Sequence, residues 1–561
     1  MNNMNKRLKN LLRIPETKYS TKEIYAWLWL AWKGNRTQAM INAIIGLLGV
    51  MVSLTVVWGM QHAIDISSHV ISGSIVMAVV VLGILFFADF GLHVASIWVR
   101  NLLGIKAQNR MQQQLLDRML RSEWKGRDSY HSGDVLNRLE FDVTNVVTFL
   151  TETIPNSLST LTLFIGAFTY LALMDWRLAI VIIAMVPFFI LLSRVYVRQM
   201  RRLVKDVRTS DSKVQSVLQE SIQHRVLIKT LESDDFIVNR LETTQNKLRK
   251  KVVKKTKFSI FSSTVLQFGF VLGYLIAFAW AAFRLSAGTL TFGGMTAFLQ
   301  LVNKIQSPAR QLTQLVPAFV SVFTAAERLM ELEEVPLEKQ GDAIELEAPC
   351  GIKLNNISYQ YFDADTPVIK DLSFDFHPGS CTAVLGETGS GKTTLIRILL
   401  ALLKPTSGSV EIYGREERME LNPLMRTNFV YVPQGNTLMS GTIRENLKMG
   451  KENATEEEMN KALKKSCADF VLNLPNGLDT VCSEQGGGLS EGQAQRIAIA
   501  RSLLRDKSIM IFDEATSALD PETEKQLLKN ILAHHDKTVI FITHRPAVVE
   551  YCNQVLTIEK I

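Results

Sequence analysis

Cysteine is missing from everything before Cys350 in this 561-residue chain. The five that follow, Cys350, Cys381, Cys467, Cys482 and Cys552, stand at irregular spacings with no CxxC pair, which excludes a zinc-finger or disulfide framework and suits reduced thiols in a cytosolic domain. Charge is scarce as well. Only 21% of residues are charged and 47% are hydrophobic, with a mean hydropathy of +0.12, so disorder is excluded and a purely soluble protein is disfavoured. The N-terminal stretch MNNMNKRLKNLLRIPETKYS lacks a compact apolar segment ahead of a small-residue cleavage site, so no removable signal peptide is expected. At about 150 residues per domain the length points to three or four units.

Residues 1–340 carry 39 Lys and Arg against 24 Asp and Glu, while residues 341–561 carry 23 against 30. A basic surplus can indicate nucleic acid, but here it belongs to the half with the long apolar runs, where basic cytoplasmic loops are the expectation, and no nucleic-acid partner is assigned. A bilayer core of about 30 Å takes about 20 apolar helical residues. Runs at 38–61, 75–98, 154–174, 178–193 and 260–283 meet or approach this, and a sixth at 291–326 is interrupted by Lys304 and Arg310. Six spans put both termini on one side of the membrane. The loop 62–74 has no Lys or Arg, whereas 99–153 and 194–259 hold most of the basic residues, so those loops and both termini are expected to be cytoplasmic. Both long loops still read as helix, and the spans are expected to extend well beyond the bilayer.

Ahead of the first span, Trp27, Trp29 and Trp32 suit a helix lying in the interface or a helix end packed on protein. Along the sixth span, Gln300, Asn303, Lys304, Ser307, Gln311 and Gln314 recur on one helical face. They read either as glue between helices or as the lining of a cavity for an amphipathic substrate.

From about residue 345 short apolar strands alternate with helices. Gly386, Glu387, Thr388, Gly389, Ser390, Gly391, Lys392 and Thr393 fit GxxxxGK[ST] between a strand and a helix, a loop whose backbone N–H groups wrap phosphates. Lys392 would pair with the β and γ phosphates and the Thr393 hydroxyl would ligate Mg2+. A second strand, Ser508–Phe512, delivers Asp513 and Glu514 at its end, one carboxylate suited to the metal and one to activating water. Between them Ser490 and Gln493 form a capping box that starts a helix.

Leu489-Ser490-Glu491-Gly492-Gln493 resembles the signature of ATP-binding cassette (ABC) proteins, and the rest of that family's pattern follows in order. The resemblance implies that Tyr361 stacks on adenine, that residues 386–393 and Thr394 hold phosphate, and that Gln434 meets Mg2+ with Thr393, with Asp513 acting through water. It further implies that Glu514 is the catalytic base, that His544 orients the γ-phosphate, and that Ser517-Ala518-Leu519-Asp520 is the D-loop. Ser490, Gly492, Gln493 and Asp520 would then serve ATP across a dimer interface. TVCSEQG at 480–486 loosely matches the stretch that touches the membrane domain in exporters.

The first segment resembles exporter membrane domains in Gly133-Asp134-Val135-Leu136-Asn137-Arg138-Leu139 with Asp142, in Asp175-Trp176-Arg177 and in Ala326-Glu327-Arg328. The implied fold is multidomain: a six-helix transmembrane domain over 1–335, then an α/β P-loop nucleotide-binding domain over 345–561. The implied function is ATP-driven export or flipping of a lipid, drug or peptide across the cell membrane, of the bacterial inner-membrane kind, by a dimer of half-transporters. A homodimer is preferred because Glu514, His544 and Asp520 are all present; a related half-transporter as partner is the alternative. An ATP-gated channel or nucleotide-responsive receptor of the same architecture stays open, and an importer is less favoured. Two departures stand out. Glu491 replaces the usual glycine of LSGGQ, and the sequence stops at VLTIEKI where relatives commonly run on through a further helix. The Glu491 carboxylate would repel a nearby γ-phosphate, so it is expected to point away from it.

Overall fold

The computed structural model describes residues 18–34, 36–124, 132–312, 315–361, 364–482, 488–533 and 536–560. The chain divides into two compact units, Met1–Asp117 with Ser132–Glu334, and Arg118–His131 with Val335–Ile561.

The first unit is helical. Helix α1 (Thr21–Ala31) starts from a reciprocal capping box of Ser20 and Glu23, and α2 (Arg36–Ser67) and α3 (Ile75–Leu120) follow. Next come α4 (Gly133–Met174), α5 (Trp176–Gln223), the short α6 (Arg225–Thr230), α7 (Asp234–Ser286), α8 (Phe292–Leu312) and α9 (Leu315–Glu333). Among the described residues α2, α3, α4 and α7 are long and apolar enough to cross a membrane. The expected run 178–193 falls on α5, and 291–326 is covered by α8 and α9, with residues 313 and 314 outside the described set. At 53 residues, α7 is about 80 Å long and outruns any bilayer.

Small residues let these helices meet. Ala167, Ala179, Ala277, Ala281 and Ala297 are buried with Val57, Leu171, Leu178, Phe298, Leu301 and Ile305 in one cluster. Helix α1 packs one face on the unit and leaves the other exposed. Ile24 and Leu28 are buried and Trp27 Nε1 donates to Glu333 at 2.8 Å, while Trp29 is more than half exposed.

The exporter-like strings of the first unit become two charge clusters at helix ends. Arg138 is buried and donates to Asp134 (2.9 Å), to Glu331 (2.9 Å) and to the Arg328 carbonyl (2.6 Å); Arg328 in turn bonds Asp134 at 2.6 Å and pairs with Asp142 at 3.1 Å. At the far end of α4, Asp175 caps α5 by accepting from the N–H groups of Arg177 and Leu178, and it also takes Trp280 Nε1 (2.9 Å) and Arg284 (2.6 Å). Each buried carboxylate in these clusters has a cation beside it, as burial requires.

Among the described residues the second unit carries three sheets. Strands β1 (Gly351–Tyr359), β2 (Ile369–Phe376), β4 (Ser407–Tyr413) and β5 (Arg418–Glu420) form an antiparallel sheet in the order β2-β1-β4-β5. Strands β3 (Cys381–Gly386), β6 (Phe429–Val432), β9 (Ile509–Asp513), β10 (Thr538–Ile542) and β11 (Gln554–Ile558) form a parallel one in the order β11-β3-β10-β9-β6. The continuous apolar runs of β9 and β10 are buried at every residue, as strands covered on both faces must be. A two-stranded pair, β7 (Gly441–Thr442) and β8 (Val481–Cys482), completes the set; residues 483–487, most of the stretch 480–486, lie outside the described residues.

Residues just after α3 belong with this second unit rather than with the helices they continue. Ser122 bridges Leu337, Glu123 N–H bonds the Pro336 carbonyl, and the Trp124 ring lies 4.2 Å under the Arg397 guanidinium.

Candidate active site

In a parallel sheet ligands sit beyond the carboxyl ends of the strands, and there β3, β9 and β10 deliver the residues singled out in the sequence. β3 runs into the loop Gly386–Gly391 and helix α10 (Lys392–Leu399). Gly391 has φ of +101°, and a Cβ there would lie 3.0 Å from the Val368 carbonyl, so only glycine closes this turn. Glu387, Thr388 and Gly389 are exposed along the loop, as is Thr393 in the first turn of α10. Lys392 is buried and its ammonium donates to the carbonyls of Gly386 (2.6 Å) and Glu387 (2.9 Å). The Ser390 hydroxyl is buried with no hydrogen-bond partner among the described residues, a polar atom at the heart of a loop built for phosphate.

β9 ends in Asp513, and Glu514 follows with φ of +48°. That left-handed conformation is uncommon for a residue with a side chain and is held by a bond from Glu514 N–H to the Ile542 carbonyl at 2.9 Å. Its carboxylate accepts from Gln434 Nε2 at 2.7 Å on one oxygen and lies 3.2 Å from His544 Nε2 on the other. Three residues separated by 80 and 30 positions thus meet at one carboxylate. Asp513 is buried at 9% exposure and takes a bond from Tyr431 OH at 3.3 Å. Burial raises its pKa above the ordinary carboxylate range, against the pull of Tyr431 and Lys392. Burial, with the Asp513 carboxylate beside it, pushes the Tyr431 hydroxyl up.

Tyr361 is placed differently from the expectation. Its ring is 8% exposed, edge-on to Tyr359 at 5.0 Å, and its hydroxyl sits 3.1 Å from Thr394 Oγ1 and accepts from Arg397 at 3.3 Å. An aromatic just past the end of β1 is drawn into the core of the sheet. Stacking on adenine needs the ring to leave this packing, and phosphate contact by Thr394 needs its hydroxyl to change partner.

Helix α13 (Glu491–Arg505, after α11, Ile443–Lys448, and α12, Glu456–Lys465) begins with the anticipated capping box: Gln493 N–H bonds Ser490 Oγ at 3.2 Å and Ser490 N–H bonds Gln493 Oε1 at 2.9 Å. A Cβ on Gly492 would lie 2.6 Å from the Ala518 carbonyl, so glycine lets the helix start touch the loop Ser517–Asp520. Asp520 caps α14 (Pro521–Leu532) through Thr523 N–H at 3.0 Å, which holds its pKa below the usual value. Glu491 is exposed and makes no ion pair or hydrogen bond among the described residues. Nor does any hydrogen bond among them join Ser490, Gly492 or Gln493 to residues 386–394.

One residue escaped the sequence reading. Arg545 donates to the carbonyls of Ser517 (2.6 Å) and Leu519 (3.3 Å) and to the buried Glu524 (2.9 Å), fastening the loop before Asp520 to the residue after His544. Its position beside His544 was the available signal, but its acceptors are backbone carbonyls, which no side-chain pattern reveals.

Residues 39–308 match the family described as the ABC transporter transmembrane region, and residues 369–517 match that described as ABC transporter. An ATP-dependent lipid A-core flippase of Bordetella avium is 30% identical over 485 residues, 84% of this chain and 80% of that protein. The chain belongs to the ABC transporter family. A multidrug resistance ABC transporter ATP-binding and permease protein of Lactococcus lactis is 28% identical over 528 residues, 93% of this chain and 88% of its own length. The fold matches that of a bacterial Atm1-family ABC exporter with ATP bound at a TM-score of 0.78 and 21% identity, over 94% of this chain and 95% of the other. This ABC transporter is therefore a multi-pass membrane protein that binds ATP and couples its hydrolysis to transport, and as a half-transporter it acts as a dimer. The sequence relatives are named for multidrug resistance and for lipid A-core flipping, which leaves the channel and receptor readings without support.

Proposed function

We propose that this ABC transporter exports or flips an amphipathic substrate as a homodimer, from a bacterial inner membrane in which both termini and the nucleotide unit face the cytoplasm. Residues 1–335 would form the membrane domain and 345–561 the ATPase. The observation that carries the reading is Glu514, held in a left-handed turn between Gln434 and His544 at the end of the strand beside the phosphate loop. Relatives named for multidrug resistance and lipid A flipping support an amphipathic cargo.

In this mechanism Lys392 exchanges the Gly386 and Glu387 carbonyls for phosphate, and the orphaned Ser390 hydroxyl gains an acceptor. Thr393, Gln434 and Asp513 offer a hydroxyl, an amide and a carboxylate, hard oxygen donors that fit Mg2+, which when bound would neutralise phosphate charge. Glu514 accepts the proton of the attacking water, and His544 orients the γ-phosphate while holding the second carboxylate oxygen. Because Ser490 and Gln493 are bonded to each other and stand apart from the chain's own phosphate loop, they are free to serve a second copy's nucleotide.

Reconstitution into proteoliposomes tests this reading, with candidate lipids, peptides and drugs and with ATP supplied on one side. Accumulation against a gradient that stops without hydrolysis is expected. Flux that runs only down its gradient would replace the exporter with a channel.

A further inference from the structure

Helix α8 presents the wrong face for a helix bathed in lipid. Ala297, Phe298, Leu301, Val302 and Ile305 are completely buried in the first unit. At about 3.6 residues per turn, Gln300, Asn303, Lys304, Ser307 and Gln311 fall on the opposite side, and Asn303, Ser307 and Gln311 are exposed. Polar groups turned outward from a membrane helix require water or protein over them rather than acyl chains. Part of this face does act as glue: Gln300 Nε2 donates to Met60 Sδ on α2 at 3.4 Å and Gln311 accepts from Thr160 on α4 at 3.3 Å. Gln314 lies outside the described residues.

Lys304 is different in kind. It is only partly buried, and its Nζ donates to Ser53 Oγ on α2 and to no other described group. An ammonium carries three donors, so two have no partner among the described groups. The opposite charge that acts on it is the Asp89 carboxylate of α3, which is too far away to form an ion pair. By contrast, the arginines of the unit's two charge clusters, of which Arg138 is buried, sit against carboxylates at 2.6 to 3.1 Å. A lysine at the centre of a membrane helix is costly, and helix packing alone would be served as well by a neutral donor to Ser53.

We infer that Lys304, flanked by Asn303 and Ser307, is a subsite for the anionic group of the cargo, so that the transported amphipath carries a phosphate, sulfonate or carboxylate. This rests on the exporter reading and narrows its substrate class. Ser53 holds the ammonium in place, and Asp89 supplies a distant countercharge that keeps the empty site from retaining anions too tightly. Phosphate and carboxylate demand the same donors, so a lipid headgroup and an organic anion on a non-lipid body remain two sources of one chemistry.

The test uses the full-length protein in phosphatidylcholine vesicles, with four fluorescent probes: phosphatidylglycerol, an anionic alkyl dye, phosphatidylcholine and a cationic amphipathic dye. Probe movement and probe-stimulated ATP hydrolysis are read together, each variant against its own unstimulated rate. Stimulation and movement by at least one anionic probe are expected, and which one distinguishes headgroup from organic anion. Lys304→Gln should raise the concentration for half-maximal stimulation by about tenfold or more, the worth of a charged hydrogen bond. Lys304→Arg should stay within about threefold of the natural protein, because the charge is kept. Asp89→Asn should move the same concentration downward. Movement of the neutral or cationic probe without the anionic ones would overturn the subsite and leave the exporter standing, as would an unchanged anion response in Lys304→Gln. Failure to move any probe, with hydrolysis intact, would remove the exporter reading itself and the subsite with it.

Discussion

The two units bury charge in opposite ways. In the helical unit the arginines at helix ends are matched: Arg138 by Asp134 and Glu331, Arg328 by Asp134 and Asp142, Arg284 by Asp175. In the nucleotide unit two acids stand side by side at the end of β9, Asp513 short of a close cation and Glu514 beside a histidine and an amide in a strained turn. Satisfied charge builds a joint. Charge left partly unanswered can bind or react, and by that measure Lys304 resembles the nucleotide unit more than its own.

The sharpest way to break this contrast is Glu514→Gln. If the unanswered carboxylate is the base, hydrolysis falls by about 10²–10⁴-fold while ATP stays bound. Hydrolysis and nucleotide occupancy measured on the same sample decide it, and near-normal turnover would leave Glu514 a merely structural acid. Arg138→Met asks the reverse question of the helical unit. It takes the cation from Glu331 and one of two from Asp134, which keeps Arg328; both acids hold about a third of their surface in water. The loss should therefore be about 2 kcal/mol, below the 3–5 of a fully buried pair, visible as a lower unfolding temperature in detergent. Arg138→Lys should recover part of it, and an unchanged midpoint would show that the cluster is decorative.

A smaller effect separates the two acids of β9. Asp513 has a raised pKa, so its neutral form favours the fold: that contribution is fully present below the ordinary carboxylate pKa and is lost as pH rises through the folded value. Asp513→Asn keeps the neutral form at every pH. The nucleotide-free variant should match the natural protein in unfolding temperature under acid conditions and exceed it once Asp513 ionises, even though hydrolysis is impaired. A deficit at neutral pH would mean that the ionised carboxylate has a stabilising partner. The smallest effect belongs to Glu491→Gly. With its side chain exposed and unpaired among the described residues, losing a favourable helix-dipole contact of about 0.3–1 kcal/mol should shift the ATP concentration for half-maximal turnover by no more than about fivefold. A tenfold gain in apparent affinity would place the carboxylate against a partner's phosphate.

The nucleotide unit was legible wherever its chemistry is written in consecutive residues. The phosphate loop and the Ser490–Gln493 cap are local geometry, because backbone N–H groups at a helix start need only their own neighbours. The apolar runs likewise announced most of the membrane helices, since length and hydropathy are properties of a segment. What the chain alone left open depended on partners far away in sequence. Tyr361 could have been a free aromatic face or a core ring, and packing against Tyr359 with bonds to Thr394 and Arg397 decided for the core. The strings at 133–142 and 326–328 looked like separate motifs, yet Arg138 and Arg328 join them across about 190 residues. Arg545 binds carbonyls, which every residue possesses and no pattern distinguishes. The sequence therefore determined which elements form and which groups are chemically able. The tertiary structure decided which of those groups neutralise one another and which are left facing a ligand, because that depends on distance in space and on the water each group has lost.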